Sequence, residues 1–420
     1  MRSMSGSVFL FAARRWKCHY HLERMRSFVN VPEKAVPEKE WPDLTMTAGP
    51  CGLSQSVLHA MSQPMVYHYD PKFLRLFSET TEKLKKILLT QNDVLIMQGD
   101  AVLALEAAAH SCIKPGDKCL NLVSGHYGKG YEGYISANGG TLVEVAVPYD
   151  ASVTVEAVER AIQENPDIKV LSMVHSETPS CTVNPVREIC RLAKKHGILT
   201  IVDSVSGVGS CEVRVDDWGI DICVVGSQKC LAAAPGLSIV SVSDFAWDVM
   251  RAKNPARWSA LCMLDWKELW LESGTFPCTP SVSLVYALDA AADEVLKDGL
   301  ENTWKRHELC AKACREGLKA MGVPLWAVSE DIMATCATAF KIPGTIDQKA
   351  FRMHMRNKYG VLISAGLGED ANKLLRLGHM GYSARPAAVM SALGAVGKTF
   401  EDFCAEVDVG AGLEAALAQF

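Results

Sequence analysis

No run of 18 or more apolar residues occurs in the 420-residue chain, so no segment reads as a membrane span. No CxxC pair occurs among the fifteen cysteines, and they keep no regular spacing with histidines. That argues against a zinc site or a disulfide framework. Reduced thiols in a reducing compartment fit the odd count better. No strongly basic block interrupts the body of the chain, whose formal net charge is −5, so a nucleic-acid partner is not indicated. No internal repeat or low-complexity segment stands out. What is present is an ordinary globular composition, 49% hydrophobic and 22% charged, in a chain long enough for two domains with substantial cores.

The first thirty residues differ from the rest. Arg2, Arg14, Arg15, Lys17, Arg24 and Arg26 precede or surround the first acid, Glu23. A cytoplasmic protein is expected, with these residues a disordered basic arm or upstream of a later start at Met25. The alternative is a transit peptide with a mitochondrial destination, which the segment also resembles. Residues 1–40 are therefore set apart as an N-terminal extension.

Beyond Trp41, short apolar runs alternate with helical periodicity. KCLNLV (118–123), TLVEVAV (141–147), IKVLSMV (168–174), ILTIVD (198–203), DICVVGS (221–227) and GLSIVSV (236–242) read as strands. Helices are expected near 127–137, over the amphipathic 151–163 and over 185–197. The pattern predicts a mostly parallel sheet covered by helices on both faces, an α/β architecture, within a large domain over 41–295. A smaller C-terminal α/β domain is expected over 296–420. It has a long helix at 298–321, strands in ATCATAFKI (334–342), GVLISAG (360–366) and KLLRLGHM (373–380), and helices at 347–358 and 386–402.

In open α/β sheets, ligands sit beyond the carboxyl ends of the strands. Four polar strand ends would meet there: Ser124-Gly125-His126-Tyr127, His175-Ser176-Glu177-Thr178, Asp203-Ser204 and Gly226-Ser227-Gln228-Lys229. A lysine just past a buried strand is partly desolvated, which lowers its pKa and frees the amine. Such an amine forms a Schiff base with an aldehyde. An aspartate nearby can hold a pyridine nitrogen protonated and make the ring an electron sink. Asp203 and Lys229 have the residue types and strand-end placement that this chemistry needs.

HSETPSCTVNP (175–185), IVDSVSGVG (201–209), GSQKCLAAAPGLS (226–238) and LLRLGHMG (374–381) resemble, in order and spacing, the motifs of class V, fold-type I aminotransferases such as the alanine–glyoxylate and serine–pyruvate enzymes. The resemblance runs from about residue 44 to near the end. It implies a fold-type I large domain with a seven-stranded-type sheet and a small C-terminal domain. By the same resemblance Lys229 is the Schiff-base lysine, Asp203 pairs with the pyridine nitrogen and Tyr127 stacks on the ring. Arg376 and Gly49 take the substrate carboxylate end, a guanidinium fork being well shaped for a carboxylate. Asp100, Ala101, Thr178, Ser204, Val205, Gln228 and Thr279 are expected around the cofactor, with His175 and Glu177 nearby. Class V sites borrow residues such as Thr279 from a second subunit, which implies a homodimer or homotetramer.

One turn departs from the general pattern. MQGDAVLALEAAAHS (97–111) opens a helix at Asp100, where typical members have Ser, Gly and His around the cofactor phosphate. A helix N-terminus is a natural phosphate seat, yet a carboxylate there is also a good N-cap. FPCT (276–279) keeps Thr279 but has Phe276 where the family has a tyrosine. Two phosphate contacts are altered together. In this the chain resembles a subgroup that transfers an amino group from unphosphorylated pyridoxamine to pyruvate, giving pyridoxal and L-alanine. YHYDPKF (67–73), SGHYGKGY (124–131), FPCTPSVS (276–283) and KCLAAAPGL (229–237) carry that likeness. Two features pull the other way. SAGLGED (364–370) has Leu367 where the subgroup can carry a second arginine, and Gln228 matches the phosphate-binding type. The competing expectations are an ordinary pyridoxal 5′-phosphate-dependent aminotransferase, and a B6-binding protein without turnover. A cysteine desulfurase needs a mobile loop cysteine, and Cys336 sits in a strand-like run.

Overall fold

The computed structural model describes residues 43–420. The expected N-terminal extension over 1–40, with the transit-peptide reading of it, lies outside the described residues.

Seven strands form the main sheet: β1 (Asp93–Gln98), β2 (Lys118–Val123), β3 (Thr141–Ala146), β4 (Ile168–Val174), β5 (Leu199–Asp203), β6 (Ile222–Gly226) and β7 (Leu237–Val242). Their spatial order is β1-β7-β6-β5-β4-β2-β3. All neighbours are parallel except β7, which runs antiparallel to both β1 and β6. The central strands β5, β6 and β7 are buried along their whole length. Both faces are covered, so these strands read as unbroken apolar runs rather than alternating ones. At the edge, β3 is largely exposed, and its sequence TLVEVA carries a charge.

Eight helices matter for the site: α1 (Pro71–Leu88), α2 (Ala101–Cys112), α3 (His126–Ala137), α4 (Val186–Lys195), α5 (Val282–Asp298), α6 (Leu300–Ala320), α7 (Gln348–Tyr359) and α8 (Pro386–Asp402). α1 begins at an Asp-Pro signal, with Asp70 accepting a bond from the Lys72 N–H at 2.8 Å. The helix expected from residue 151 begins only at Val155, because Thr154 caps it through the Ala157 N–H. Gly299, at φ +85°, separates α5 from α6.

The small domain holds an antiparallel sheet of β8 (Ala337–Lys341), β9 (Ser364–Ala365) and β10 (Leu374–Gly378), with β10 in the middle. The expected strand over 360–366 is split. Val361–Leu362 pairs instead with Leu44–Thr45, which ties the start of the described chain to the small domain.

One apolar core runs from Val57 to Val295 around the main sheet. A second joins Met46 to residues between Cys310 and Ala416. Between them lies a seam of small side chains, among them Ala48, Cys51, Cys181, Cys230, Ala232 and Cys336. These cysteines pack as compact hydrophobes. They let the two domains close together directly beside Lys229.

Candidate active site

At the carboxyl ends of the strands lies a cavity of about 250 Å³. Asp203 ends β5 and Lys229 sits in the turn after β6, and both line it. Asp203 is buried. Its Oδ1 accepts the Val205 N–H at 3.0 Å. Burial pushes its pKa up to about 6, with the Val205 N–H and the Lys229 charge drawing it back. Lys229 is buried too, and its Nζ donates to the Ala48 carbonyl at 2.7 Å. Burial holds the amine below the ordinary lysine range, against the pull of Cys336 and with the help of the Arg376 charge. A lysine whose charged form is disfavoured spends more time as the nucleophilic free amine.

Gly49 borders the same space at φ +94°, and a Cβ there would lie 2.4 Å from Lys229 Nζ. The positive φ strains any other residue here, and a side chain would also displace the end of Lys229.

Asp100 caps α2. Its Oδ1 accepts the Val102 N–H at 3.1 Å and its Oδ2 accepts from Gln228 Nε2 at 2.6 Å. The carboxylate requires a donor opposite it, which sets the Gln228 amide orientation. Gln228 Oε1 is then buried with no partner. The donors that would hold an anion at this helix end are thus engaged by the protein's own carboxylate.

Tyr127 lies in the first turn of α3 and lines the cavity, as do Ala101, Thr178 and Val205. Thr178 is held on one side by Ser206 through paired hydroxyls. On the other side its carbonyl accepts Arg376 Nη1 at 2.8 Å. Arg376, on β10, also donates through Nε to the Ala365 carbonyl at 2.6 Å. It is buried, yet both of these acceptors are neutral carbonyls. Among the described residues it has no carboxylate partner, and a buried guanidinium so placed is poised to take an anion.

Several expected positions fall elsewhere. Ser204 points away from the cavity, with its hydroxyl against His175 Nδ1 at 3.0 Å. His175 is packed edge-on to Trp218 and close to Cys211, and burial lowers its pKa to about 4. It is therefore a neutral wall residue behind the strand ends. Glu177 faces α3 rather than the cavity. Thr279 is exposed, and its carbonyl accepts from Gln98 Nε2. Within one chain it does not reach the cavity. Phe276 is stacked on Trp270 at 4.0 Å and 8° inside an aromatic cluster with Phe73 and Phe77. Its ring is part of the core packing of the large domain. Cys336 is fully buried at the start of β8. Leu367 lies on the loop beyond β9, about one-third exposed. Pro50, Val102, Leu105, Ser176 and Pro235 also line the cavity. Of these, Ser176 is among the polar strand ends expected at the site; the others are not, although APGL after the lysine marks a turn that returns beside it.

A buried Asp–Lys pair at the strand ends of a seven-stranded sheet, with an arginine from a smaller domain, defines a fold-type I enzyme of vitamin B6 chemistry. The chain belongs to the class V aminotransferases: residues 53–381 match the model of that family. It is 42% identical to a pyridoxamine–pyruvate transaminase of Mesorhizobium japonicum, over 91% of this chain and 98% of the relative. It is 30% identical to an (S)-ureidoglycine–glyoxylate transaminase of Bacillus subtilis, over 89% and 94%. Among solved structures, the pyridoxamine–pyruvate aminotransferase of Mesorhizobium loti superposes with a TM-score of 0.88 at 41% identity, over 93% of this chain and 98% of that one. Among the described residues no helix is long and apolar enough to cross a membrane.

Proposed function

We propose that this aminotransferase takes unphosphorylated pyridoxamine as amino donor and pyruvate as acceptor, and releases pyridoxal and L-alanine. The observation that carries the reading is the Asp100 carboxylate at the start of α2, tied to Gln228 Nε2 at 2.6 Å. A phosphate ester brings only acceptors and negative charge to this place. A 5′-hydroxymethyl group brings a donor, which a carboxylate accepts.

The remaining residues fit a pyridine aldehyde or amine of this kind. When bound, the ring supplies an electron sink for the charge developing on the amino-acid α-carbon. Asp203 holds the proton on the ring nitrogen. Tyr127 would face the ring from the cavity wall. Lys229 Nζ carries the proton between the 4′ carbon of the vitamer and the α-carbon of the amino acid. Arg376 binds the keto-acid carboxylate, and Gly49 leaves that end of the cavity open. Leu367 stands where the subgroup can carry a second arginine, so Arg376 carries the keto-acid carboxylate in this reading. Residues 41–295 then carry the vitamer, and residues 296–420 bring Arg376 to it. A second copy of the chain supplies Thr279 in a homodimer or a dimer of dimers.

One observation favours a second reading, a pyridoxal 5′-phosphate-dependent aminotransferase of the alanine–glyoxylate or serine–pyruvate type. Asp100 also bonds the Val102 N–H, as any N-cap does. Titration of cofactor-free protein with pyridoxal and with its 5′-phosphate, followed by absorbance, separates the two. Tight pyridoxal binding, weak binding of the ester and release of pyridoxal on adding pyruvate to the pyridoxamine-loaded protein are expected. Tighter binding of the ester overturns the proposal in favour of the second reading.

A further inference from the structure

Helix α3 carries Tyr127 in its first turn but has no cap of its own. Gly125, at the N-cap position, offers no side chain. The first N–H groups of a helix need acceptors from elsewhere. Here they come from a different element. Glu177 Oε1 accepts the Gly128 N–H at 2.7 Å, and Oε2 accepts the Tyr127 N–H at 3.3 Å. Glu177 is completely buried. Among the described residues it makes no ion pair with a Lys, Arg or His side chain. The two N–H groups and the positive end of α3 are what compensate its charge.

The socket is built for it. A Cβ on Gly125 would lie 2.4 Å from Glu177 Cδ, and one on Gly128 would lie 3.2 Å from Oε1 and 2.8 Å from the Leu122 carbonyl. The spacing SGHYG at 124–128 therefore leaves room for a carboxylate from another strand end.

Two neighbouring facts give this contact a consequence. Tyr127 lines both the catalytic cavity and a second cavity of about 210 Å³. Its N–H is one of the two groups that Glu177 holds, so the backbone that carries the ring is tied to Glu177. Glu177 is flanked by Ser176 and Thr178, both of which line the catalytic cavity, and the Thr178 carbonyl holds Arg376. The Glu177 carbonyl accepts the Cys181 N–H at 2.7 Å, closing the turn.

We propose that Glu177 is a positioning residue: it fixes the backbone of Tyr127 and so sets the ring-facing tyrosine in register with Arg376. The proposal rests on the reading of Tyr127 as the residue that faces the ring. Glu177 touches neither vitamer nor keto acid and acts through α3.

A double-mutant cycle tests it on the full chain, with pyridoxal and pyridoxal 5′-phosphate as the two probes and binding read by absorbance on whichever binds. Glu177→Gln keeps the shape but removes the charge and one acceptor. It should weaken binding about ten-fold in the parent, within the range of couplings between neighbouring sites. In a Tyr127→Leu background the same substitution should change binding by less than about two-fold, because the tyrosine through which it acts is gone. Glu177→Asp, which keeps the charge but withdraws the carboxylate, should follow the same pattern if Glu177→Gln folds poorly. An equal loss in both backgrounds, or no loss in the parent, overturns the proposal and leaves Glu177 a helix cap only. If Tyr127→Leu alone leaves binding unchanged, the assignment of Tyr127 itself fails, and the proposal with it.

Discussion

Replacing Asp100 by Asn isolates the charge at the start of α2. Asn caps helices about as well as Asp, so the bond to the Val102 N–H survives. The Gln228 amide turns to present Oε1 to the new donor. What changes is the electrostatic field at the 5′ end of the vitamer. Two unit charges ~4 Å apart interact by about 1 kcal/mol in water and about 4 kcal/mol at an effective dielectric near 20. Asp100 is exposed in the free chain, so the lower figure applies per charge. A phosphate ester carrying about two charges is then disfavoured by about 2 kcal/mol. The bond from the 5′-hydroxyl loses its ionic acceptor, which costs pyridoxal about 1 kcal/mol. Together these shift the affinity ratio toward the phosphate ester by about two orders of magnitude, at 1.4 kcal/mol per factor of ten. The assay is the pair of dissociation constants, measured by absorbance on cofactor-free parent and variant, with thermal unfolding as the control. A ratio that moves by less than about three-fold while the variant remains folded would refute the electrostatic filter, since even the water-like limit predicts more.

Two further outcomes follow from the same geometry. Arg376→Lys removes the fork that spans the Thr178 and Ala365 carbonyls, and a point charge cannot replace it. The KM for pyruvate should rise roughly 10- to 100-fold with the KM for pyridoxamine little changed; an equal rise in both would show that Arg376 does not select the keto acid. The Glu177 carboxyl is lifted from 4.5 to about 7, chiefly by burial, and the backbone N–H groups of Gly128 and Tyr127 restrain the rise. The folded chain therefore binds that proton more tightly than the unfolded one, and this share of stability, complete below about pH 4.5, is lost as pH rises through about 7. Glu177→Gln does not titrate. Its Tm relative to the parent should climb across that window, while the opposing loss from His175 on acidification is common to both chains. A pH-independent difference would place the Glu177 pKa near its ordinary value.

The strand pattern and the chemistry-bearing pair were legible in the chain itself. Continuous apolar runs as short as ILTIVD and ICVVG, bounded by turn residues, read as strands buried on both faces, and the polar residue after such a run reads as lying at the ligand-binding end. That reasoning places Asp203 and Lys229 together across twenty-six residues of sequence. The Asp100 cap was legible as well, because Gly-Asp-Ala before an alanine- and leucine-rich run opens a helix whatever surrounds it.

Which way each side chain turns after its strand depended on tertiary structure. Ser204 and Val205 are adjacent in sequence, yet only Val205 faces the cavity, because the Asp203 carboxylate binds the Val205 N–H while the Ser204 hydroxyl turns to His175. His175, Glu177 and Thr178 share one short segment and part into a neutral wall residue, a cap for α3 and a cavity residue. Their partners, Ser204, Gly128 and Arg376, lie 29, 49 and 198 residues away. Phe276, readable in sequence only as a tyrosine lost, owes its place to the face of Trp270. Local sequence determined which residues reach the carboxyl end of the sheet, because strand length and caps are set by near neighbours. Only long-range packing determined which of them line the cavity, because each buried polar group turns toward the partner that the fold brings within hydrogen-bonding distance.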